Sequence, residues 1–210
     1  MCCAIPGRLW AWLYDVTMRR VERGGLAALR SDLVSRAHGR TIEIGAGTGA
    51  NVRFYPAAAS PLVLTDPDPH KLNRLRHRVD RIRPDAQIVS AQAQSLPFPD
   101  AAFDTVVATL VLCSVPNQAE ALAEVRRVLR PGGLFLFVEH VRSEDPRLAR
   151  RQDRWRPVWR AIAGGCEPHR DTTAAITIAG FDLTELRRGR MPAAPSIVRP
   201  LAIGTAIRRA

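Results

Sequence analysis

Short runs of consecutive apolar residues alternate along this chain with longer segments in which apolar residues recur every three or four positions. The runs predict buried strands, and the segments with helical spacing predict amphipathic helices. The predicted strands cover residues 41–44, 62–65, 87–90, 105–112, 134–139, a segment that begins at Phe181, and 197–207. The predicted helices cover residues 8–37 with a division at Gly24–Gly25, 51–55, 70–83, 119–129, about 148–162 with a break or kink at Pro157, and 172–179. This alternation predicts an α/β fold, a mostly parallel seven-stranded sheet with helices on both faces.

The first predicted strand leads directly into a glycine-rich loop at residues 45–49. Gly45 and Gly47 permit a positive φ and carry no Cβ, so a ligand can lie against their backbone. The helix predicted from about Asn51 would direct its N-terminal amides and its dipole at the same place. A glycine-rich loop between a strand and a helix therefore predicts a nucleotide site.

Two nucleotide chemistries fit this loop. Gly45-x-Gly47-x-x-Ala50 satisfies the dinucleotide fingerprint, and Asp66 follows the second strand at roughly the spacing of a ribose-binding acid. A carboxylate at that strand end can accept both ribose hydroxyls, whether the ligand is NAD or S-adenosylmethionine (SAM). The loop alone therefore leaves a dehydrogenase and a SAM-binding protein both open.

Three further motifs resemble those of one family. Glu43 and Gly49 extend the loop to E-x-G-x-G-x-G, which resembles motif I of the class I SAM-dependent methyltransferases. Residues 91–104 are similar to the GDAxxLPFxDxxFD segment of the methyltransferase type 11 family, and RRVLRPGG at 126–133 resembles a second signature of that family. At these separations the motifs favour a methyltransferase over a dehydrogenase. The resemblance covers about residues 40–140 and implies a Rossmann-like sheet whose last strand is antiparallel, with SAM as cofactor.

The resemblance also implies a role for individual residues. Glu43 would support the amino-acid end of SAM, and Asp66 would bind the ribose. Gln92 replaces the family's adenine-binding acid and would accept from the adenine amine, while Ala93 would supply a backbone amide. Thr109 and Leu110 would lie beside the methyl group. The expected SAM-binding residues are Glu43, Gly45, Ala46, Gly47, Thr48, Gly49, Asp66, Pro67, Gln92, Ala93, Thr109 and Leu110.

From residue 111 onward the chain resembles a narrower group, which includes membrane-associated alkyl-thiol S-methyltransferases. The similar residues are VLCSV at 111–115, FVEHV at 137–141, and Gly165, Cys166 and Arg170. This resemblance implies a small hydrophobic acceptor, first of all a thiol. The alternatives are an O- or C-acceptor such as a phenol, a quinol or a lipid-like molecule, and further a nucleic-acid methyltransferase or a non-catalytic nucleotide-binding protein.

Three residues are candidates for catalysis on the acceptor side. His140, just beyond the fifth predicted strand, is the best candidate to take or orient an acceptor proton, and His169 is a second one. Arg170 is a candidate to hold an anionic acceptor or to stabilise a thiolate. A thiol acceptor has less need of a base, because its thiolate form is itself the nucleophile.

Length and composition bear on the number of domains and on the cellular compartment. The 210 residues suffice for one domain, with residues 1–37 as an N-terminal helical cap and 142–175 as an acceptor-side cap. Four cysteines without CxxC spacing predict reduced thiols and no metal site. No run of 18 apolar residues and no signal peptide is visible, and the anchor of the narrower group is missing. We therefore expect a cytoplasmic protein, and Tyr14–Asp15 is a candidate segment for closing over the cofactor.

The net charge of +11 predicts attraction to anionic partners. Nucleic acid is an unlikely partner, because TLVLCSV stands at 109–115 in place of an amino-base motif and no nucleic-acid-binding module is visible. Arginines crowd the 142–175 segment beside Leu148, Trp155, Trp159 and Ile162. We interpret this segment as a cap over the acceptor pocket, with peripheral contact to an anionic membrane as the alternative. The pattern predicts no oligomeric state.

Overall fold

The structure is a computed structural model that describes residues 19–209. The expectations for the first helical segment up to residue 18, including Tyr14–Asp15, lie outside these residues. The strands are β1 Thr41–Ile44, β2 Leu62–Asp66, β3 Gln87–Ser90, β4 Phe103–Thr109, β5 Leu129–His140, β6 Phe181–Arg190 and β7 Pro200–Arg208. The α-helices are α1 Ala27–Val34, α2 Pro69–Ile82, α3 Gln118–Val128, α4 Pro146–Ile162 and α5 Thr172–Ile178. A π-helical turn at Glu22–Leu26 precedes α1, and Gly25 inside it has a φ of 130°.

The seven strands form one sheet in the order β3-β2-β1-β4-β5-β7-β6. Strands β1 to β5 are parallel, whereas β7 is antiparallel to both of its neighbours. The expected α/β fold with an antiparallel last strand is therefore confirmed. The chain order reverses between β1 and β4, and in open parallel sheets ligands bind outside the carboxyl ends of the strands at such a point.

Two apolar clusters, one on each face of the sheet, hold the helices in place. Leu33 of α1 and Leu75 of α2 belong to the first cluster, and Leu122 and Val125 of α3 belong to the second. Every residue of β1 and β2 is buried, as expected for central parallel strands covered on both faces. Because its central strands are covered on both faces, the sheet is a rigid support for the loops at its carboxyl edge. Ala119, at the start of α3, has the spacing of an inward residue but is exposed.

Two predictions about the ends of helices are wrong. Residues 51–55 do not form an α-helix, because only a 3₁₀ turn, Val52–Phe54, fits between Gly49 at a φ of 84° and Pro56. The prediction that a helix dipole points at the glycine-rich loop is therefore wrong. Helix α3 ends at Val128, one residue before the predicted end, since Leu129 is already extended.

Strand boundaries and the path of α4 also differ from the predicted pattern. Strand β4 stops at Thr109 because Leu110 has a φ of 60°. The start predicted for β7 is a 3₁₀ turn, Ser196–Val198, and the strand begins at Pro200. Helix α4 runs through Pro157 without ending there. Over residues 19–209, no helix is both long and apolar enough to cross a membrane.

Candidate active site

The glycine-rich loop packs tightly on one side and is open on the other. Gly45 has a φ of 60°, and a Cβ there would lie 2.6 Å from the side chain of Val111. Gly47 has a φ of 58°, but a Cβ on it would meet no atom within 4 Å. The amide of Ala46 donates to the Thr65 carbonyl at 2.7 Å and ties the loop to β2. Gly45 is therefore required by packing, whereas the backbone at Gly47 is accessible to a ligand.

Asp66 fixes the same loop from the end of β2. Its Oδ2 accepts a hydrogen bond from the Gly47 amide at 2.9 Å, and its Oδ1 accepts from the Asp68 amide at 2.9 Å. Each carboxylate oxygen can accept more than one hydrogen bond, so both oxygens can still accept from ribose hydroxyls. Pro67, which follows, is exposed. The carboxylate is thus oriented before any ligand arrives.

Glu43 lies fully buried beneath the loop. Its Oε1 accepts from Asn51 Nδ2 at 2.8 Å, and its Oε2 accepts from the Tyr55 hydroxyl at 2.7 Å. Burial raises the pKa of Glu43 to about 7, although Tyr55, the charge of Arg30 and Asn51 act in the opposite direction. Glu43 is therefore anchored to Asn51 and Tyr55, the residues that follow the glycine-rich loop.

A buried arginine joins this network to the end of β4. Arg30 Nη1 donates to Thr109 Oγ1 at 2.6 Å and to Asn51 Oδ1 at 3.1 Å, and its Nε donates to Glu22 at 2.9 Å. Asn51 Nδ2 also donates to Thr109 Oγ1, at 3.0 Å. Two donors thus occupy the acceptor sites of the Thr109 hydroxyl, which keeps its own proton for donation. The sequence pattern gave no signal for Arg30, because one arginine on an amphipathic helix is usually exposed.

The loop after β4 is held by a carboxylate from the neighbouring strand. Glu139 Oε1 accepts from the amides of Val111 and Leu112, both at 2.9 Å, and Oε2 accepts from the Cys113 amide at 3.1 Å. Burial raises the pKa of Glu139, and these three donors oppose the rise. Leu110, in the left-handed region, donates its amide to Val138 at 2.7 Å. Sequence reasoning missed Glu139, although a charged residue inside the apolar FVEHV run was a usable signal.

The two expected adenine contacts follow β3. Gln92 is exposed and its carbonyl accepts from Ser95 at 3.0 Å, whereas Ala93 is buried. Arg127 of the RRVLRPGG motif holds this segment, since it donates to the carbonyls of Leu96 at 2.9 Å and Phe98 at 2.7 Å. The two sequence signatures are therefore in direct contact.

His140 ends β5 and is buried. Burial lowers the pKa of His140 to about 4, and a hydrogen bond with the Val198 backbone has the opposite, smaller effect. Its Nδ1 is buried and has no hydrogen-bond partner within residues 19–209. The ring is therefore neutral at physiological pH, with one nitrogen unengaged. A conjugate acid with so low a pKa makes it a weak base.

Arg170 is engaged in structural contacts. Its Nη1 donates to the carbonyls of Leu112 at 2.8 Å and Val115 at 2.9 Å, and its Nε donates to Glu167 at 2.9 Å. The Arg170 guanidinium is thus engaged by Glu167 and two backbone carbonyls, so the geometry gives no support to the expected role in holding an anionic acceptor. The second candidate, His169, has a pKa lowered by burial and by the charge of Arg156.

The family model described as a methyltransferase domain matches residues 42–137. Thiol S-methyltransferase TMT1A of Homo sapiens is 36% identical over 174 residues, which are 80% of this chain and 70% of the relative. The chain belongs to the SAM-dependent methyltransferases. The UbiE C-methyltransferase of ubiquinone and menaquinone biosynthesis from Ectopseudomonas mendocina is 33% identical over 161 residues, 72% of this chain and 62% of that relative. The crystal structure of a SAM-dependent methyltransferase from Mesorhizobium loti has a TM-score of 0.66 at 20% identity and shares the fold over 88% of this chain and 98% of its own.

The cofactor of this methyltransferase is SAM, and the residues present fit it. The backbone at Gly47 is open, and Asp66 has acceptor capacity left on both oxygens. Most of the expected SAM-binding residues lie together at the carboxyl ends of β1, β2 and β4, and Gln92 and Ala93 follow the end of β3. Across residues 19–209, no group of three or more His, Cys, Asp or Glu side chains is arranged to hold a metal ion.

Proposed function

We propose that this methyltransferase transfers the methyl group of SAM to a small hydrophobic thiol. The observation that carries the proposal is that His140, at the end of β5, is neutral with a pKa of about 4, while the Arg170 guanidinium is hydrogen-bonded to Glu167 and to two backbone carbonyls. A cysteine thiol has an ordinary pKa near 8.5, below the value near 10 of a tyrosine phenol, so an acceptor thiol of comparable acidity depends less on a base than a phenol does. The name of the human thiol S-methyltransferase relative supports the same acceptor.

In this proposal the protein acts mainly by alignment. SAM supplies a methyl group on a sulfonium, which a thiolate displaces in line. Asp66 and the glycine-rich loop orient the cofactor, and Thr109 and Leu110 border the transferred methyl group. The loop held by Glu139 positions the acceptor. The SAM-binding set that we propose is the one expected from the sequence, with Arg30, Asn51 and Tyr55 as its buried support.

The test is S-adenosylhomocysteine release with an alkyl thiol, a more acidic aryl thiol, a phenol and a hydroquinone. We expect turnover on thiols, and the midpoint of the pH profile of kcat/KM moves down for the aryl thiol, because the acceptor's own ionisation limits the rate. His140→Gln keeps that difference between the two thiols. A midpoint that is the same for both thiols, or turnover on the oxygen acceptors alone, would refute the thiol proposal.

A second candidate acceptor is a quinol or phenol. The UbiE relative, a C-methyltransferase of quinone biosynthesis, favours it. Carbon or oxygen methylation of such a ring needs removal of a proton, so His140 would then be required. Turnover on the hydroquinone that His140→Gln abolishes would support this candidate.

We also propose that this is a cytoplasmic protein whose α4 contacts an anionic membrane surface. Trp155, Val158 and Ile162 are 49%, 49% and 64% exposed and follow one another at helical spacing on one face. Exposed arginines flank that face, namely Arg147, Arg151 and Arg154. The adjoining face is fixed to the domain by Gln152, whose side chain donates to three backbone carbonyls. A basic helix with an apolar face binds such surfaces and would bring the site close to hydrophobic acceptors.

Vesicle sedimentation tests the membrane contact. We expect binding to phosphatidylglycerol vesicles that weakens with salt, little binding to phosphatidylcholine, and reduced binding of Ile162→Ser. Ile178→Ser is the matched control, because Ile178 is 86% exposed but lies outside α4. Equal binding to both lipids, or equal loss in both variants, would contradict the proposal.

A further inference from the structure

Two cysteines that are far apart in the sequence meet beside the loop after β4. The Sγ atoms of Cys113 and Cys166 are 3.8 Å apart, and both side chains are buried. The sequence shows no paired cysteine spacing, so the pair arises only from the fold. In the methyl transfer proposed above, the protein aligns SAM with the acceptor, and neither sulfur has a part in that step.

The backbone on both sides of the pair is held in place. The Glu167 amide donates to the Cys113 carbonyl at 2.7 Å, and Glu139 accepts from the Cys113 amide. Arg170 binds the carbonyls of Leu112 and Val115 from the segment that carries Cys166. The two sulfurs are therefore kept next to each other by contacts that do not involve sulfur.

The two thiols are chemically unequal. The hydrogen bond between them lowers the pKa of Cys166 and raises that of Cys113. The environment of Cys166 includes Glu167, which forms ion pairs with three arginines at 2.5–3.6 Å, namely Arg156, Arg160 and Arg170. The buried carboxylate of Glu139 acts against thiolate formation at both sulfurs. Cys166 is also the more accessible of the two, at 7% exposed against 1% for Cys113, so we place it as the sulfur that reacts first with an electrophile and Cys113 as the one that reacts second.

We propose that Cys113 and Cys166 form an oxidation site at which a hydroperoxide produces an intramolecular disulfide. The Cys166 thiolate attacks the terminal peroxide oxygen, the O–O bond breaks, and the alkoxide or hydroxide that leaves takes up a proton. The Cys113 thiol then attacks the resulting sulfenic acid, the S–S bond forms, and water leaves. Two thiols are oxidised and one hydroperoxide is reduced to an alcohol, or to water when it is hydrogen peroxide.

We expect disulfide formation to disturb the acceptor-side loop. A disulfide needs its sulfurs about 2.05 Å apart, so the two sulfurs must approach from 3.8 Å, by rotation of the two side chains or by a shift of the segments that carry them. Leu110, which we place beside the methyl group, is only three residues before Cys113. Misplacement by about 1 Å costs on the order of a hundredfold in an aligned reaction. We therefore expect the oxidised enzyme to lose at least about tenfold in kcat/KM.

The experiment uses the full chain with Cys2→Ser and Cys3→Ser, so that only the pair remains. The reduced protein is treated with hydrogen peroxide, and intact mass and peptide mapping follow. We expect the loss of two hydrogen atoms, a Cys113–Cys166 linked peptide, and slower S-adenosylhomocysteine release that dithiothreitol restores. Because a thiol acceptor can itself reduce a disulfide, the disulfide content is measured again at the end of each assay.

A single-cysteine variant supplies the control. Cys166→Ser in the same background forms no disulfide, and we expect its activity to change less than about twofold with peroxide, relative to its own untreated rate. Oxygen addition without the linked peptide, or an equal loss of activity in Cys166→Ser, would overturn the proposal, and so would a linked enzyme of unchanged activity. Mass spectrometry detects the disulfide whichever acceptor the enzyme uses, so a failure of the thiol-acceptor proposal can be told apart from a failure of the disulfide proposal. The mapping of the background protein stands even if Cys166→Ser does not fold.

Discussion

Replacement of Glu139 by glutamine tests whether one buried carboxylate positions the acceptor-side loop. The wild-type carboxylate accepts three amide hydrogen bonds, from Val111, Leu112 and Cys113. Glutamine can keep the two bonds at its single oxygen, but its NH₂ group would then face the Cys113 amide, donor against donor. An unsatisfied buried donor costs about 1–3 kcal/mol, so we expect the free energy of unfolding to fall by about 1–3 kcal/mol.

The effect on catalysis should exceed the effect on cofactor binding. Val111 of this loop packs against Gly45, but no protein atom lies within 4 Å of a Cβ built on Gly47. A shift of about 1 Å should therefore act mainly on the acceptor side and lower kcat/KM for the acceptor by on the order of a hundredfold. The Kd for SAM should change less than about threefold, which is below 0.7 kcal/mol. Urea unfolding, acceptor kinetics and SAM titration measure the three quantities on the same protein.

The matched control is Glu144→Gln, which removes an exposed carboxylate paired with Arg188 at 3.0 Å. A surface pair of this kind contributes about 0–1 kcal/mol, and the variant should keep its activity. The reasoning would be refuted if Glu139→Gln unfolded within about 0.5 kcal/mol of the wild type and turned over within twofold of it.

Three further substitutions test the buried network, the titration of His140 and the ribose site. Arg30→Met should cost about 3–5 kcal/mol of unfolding free energy in urea, because it leaves Glu22, Asn51 and Thr109 without their partner; a loss below 1 kcal/mol would contradict the network. The folded-state pKa of His140, about 4, is below its unfolded value near 6.5, so its contribution to stability is present above pH 6.5 and is lost as pH falls towards 4. Between pH 7 and pH 4, the unfolding free energy of His140→Gln should therefore rise by on the order of 3 kcal/mol relative to that of the wild type. A difference between the two proteins that stays constant with pH would refute the depressed pKa. Asp66→Asn should raise the Kd for SAM about tenfold or more in calorimetry, and an unchanged Kd would refute its ribose role.

Motifs that combine a strand end with glycines or an acid were sufficient to predict the cofactor side. The glycine-rich loop and Asp66 are local in sequence, and a parallel sheet necessarily brings the ends of β1, β2 and β4 to one edge. Seven strands were likewise expected, and the resemblance to the class I methyltransferases implied the antiparallel last strand. Helix ends were harder: Leu129 continues the apolar spacing of α3, yet its backbone is already extended.

The rest of the site depends on contacts between distant segments. Glu139 binds the loop at 111–113, Arg30 reaches Thr109, and Cys113 meets Cys166. The spacing of these residues along the sequence does not predict that they are in contact. Arg170 shows the same dependence, since its candidacy as an anion-binding residue did not reveal that its guanidinium contacts Glu167 and two backbone carbonyls. Pairwise long-range geometry is the information that a single sequence does not carry.

The most direct test of the central claim is SAM titration by calorimetry of the wild type, Gly47→Ala and Gly132→Ala. Both glycines have a positive φ, 58° and 73°, and at both a Cβ would meet no protein atom within 4 Å. Each variant therefore pays a similar backbone cost of about 1 kcal/mol, but only Gly47 lies in the proposed cofactor loop. We expect Gly47→Ala to raise the Kd for SAM at least about tenfold and Gly132→Ala to leave it within about twofold of the wild type. Equal affinities in both variants, or no SAM binding by the wild type, would contradict the account.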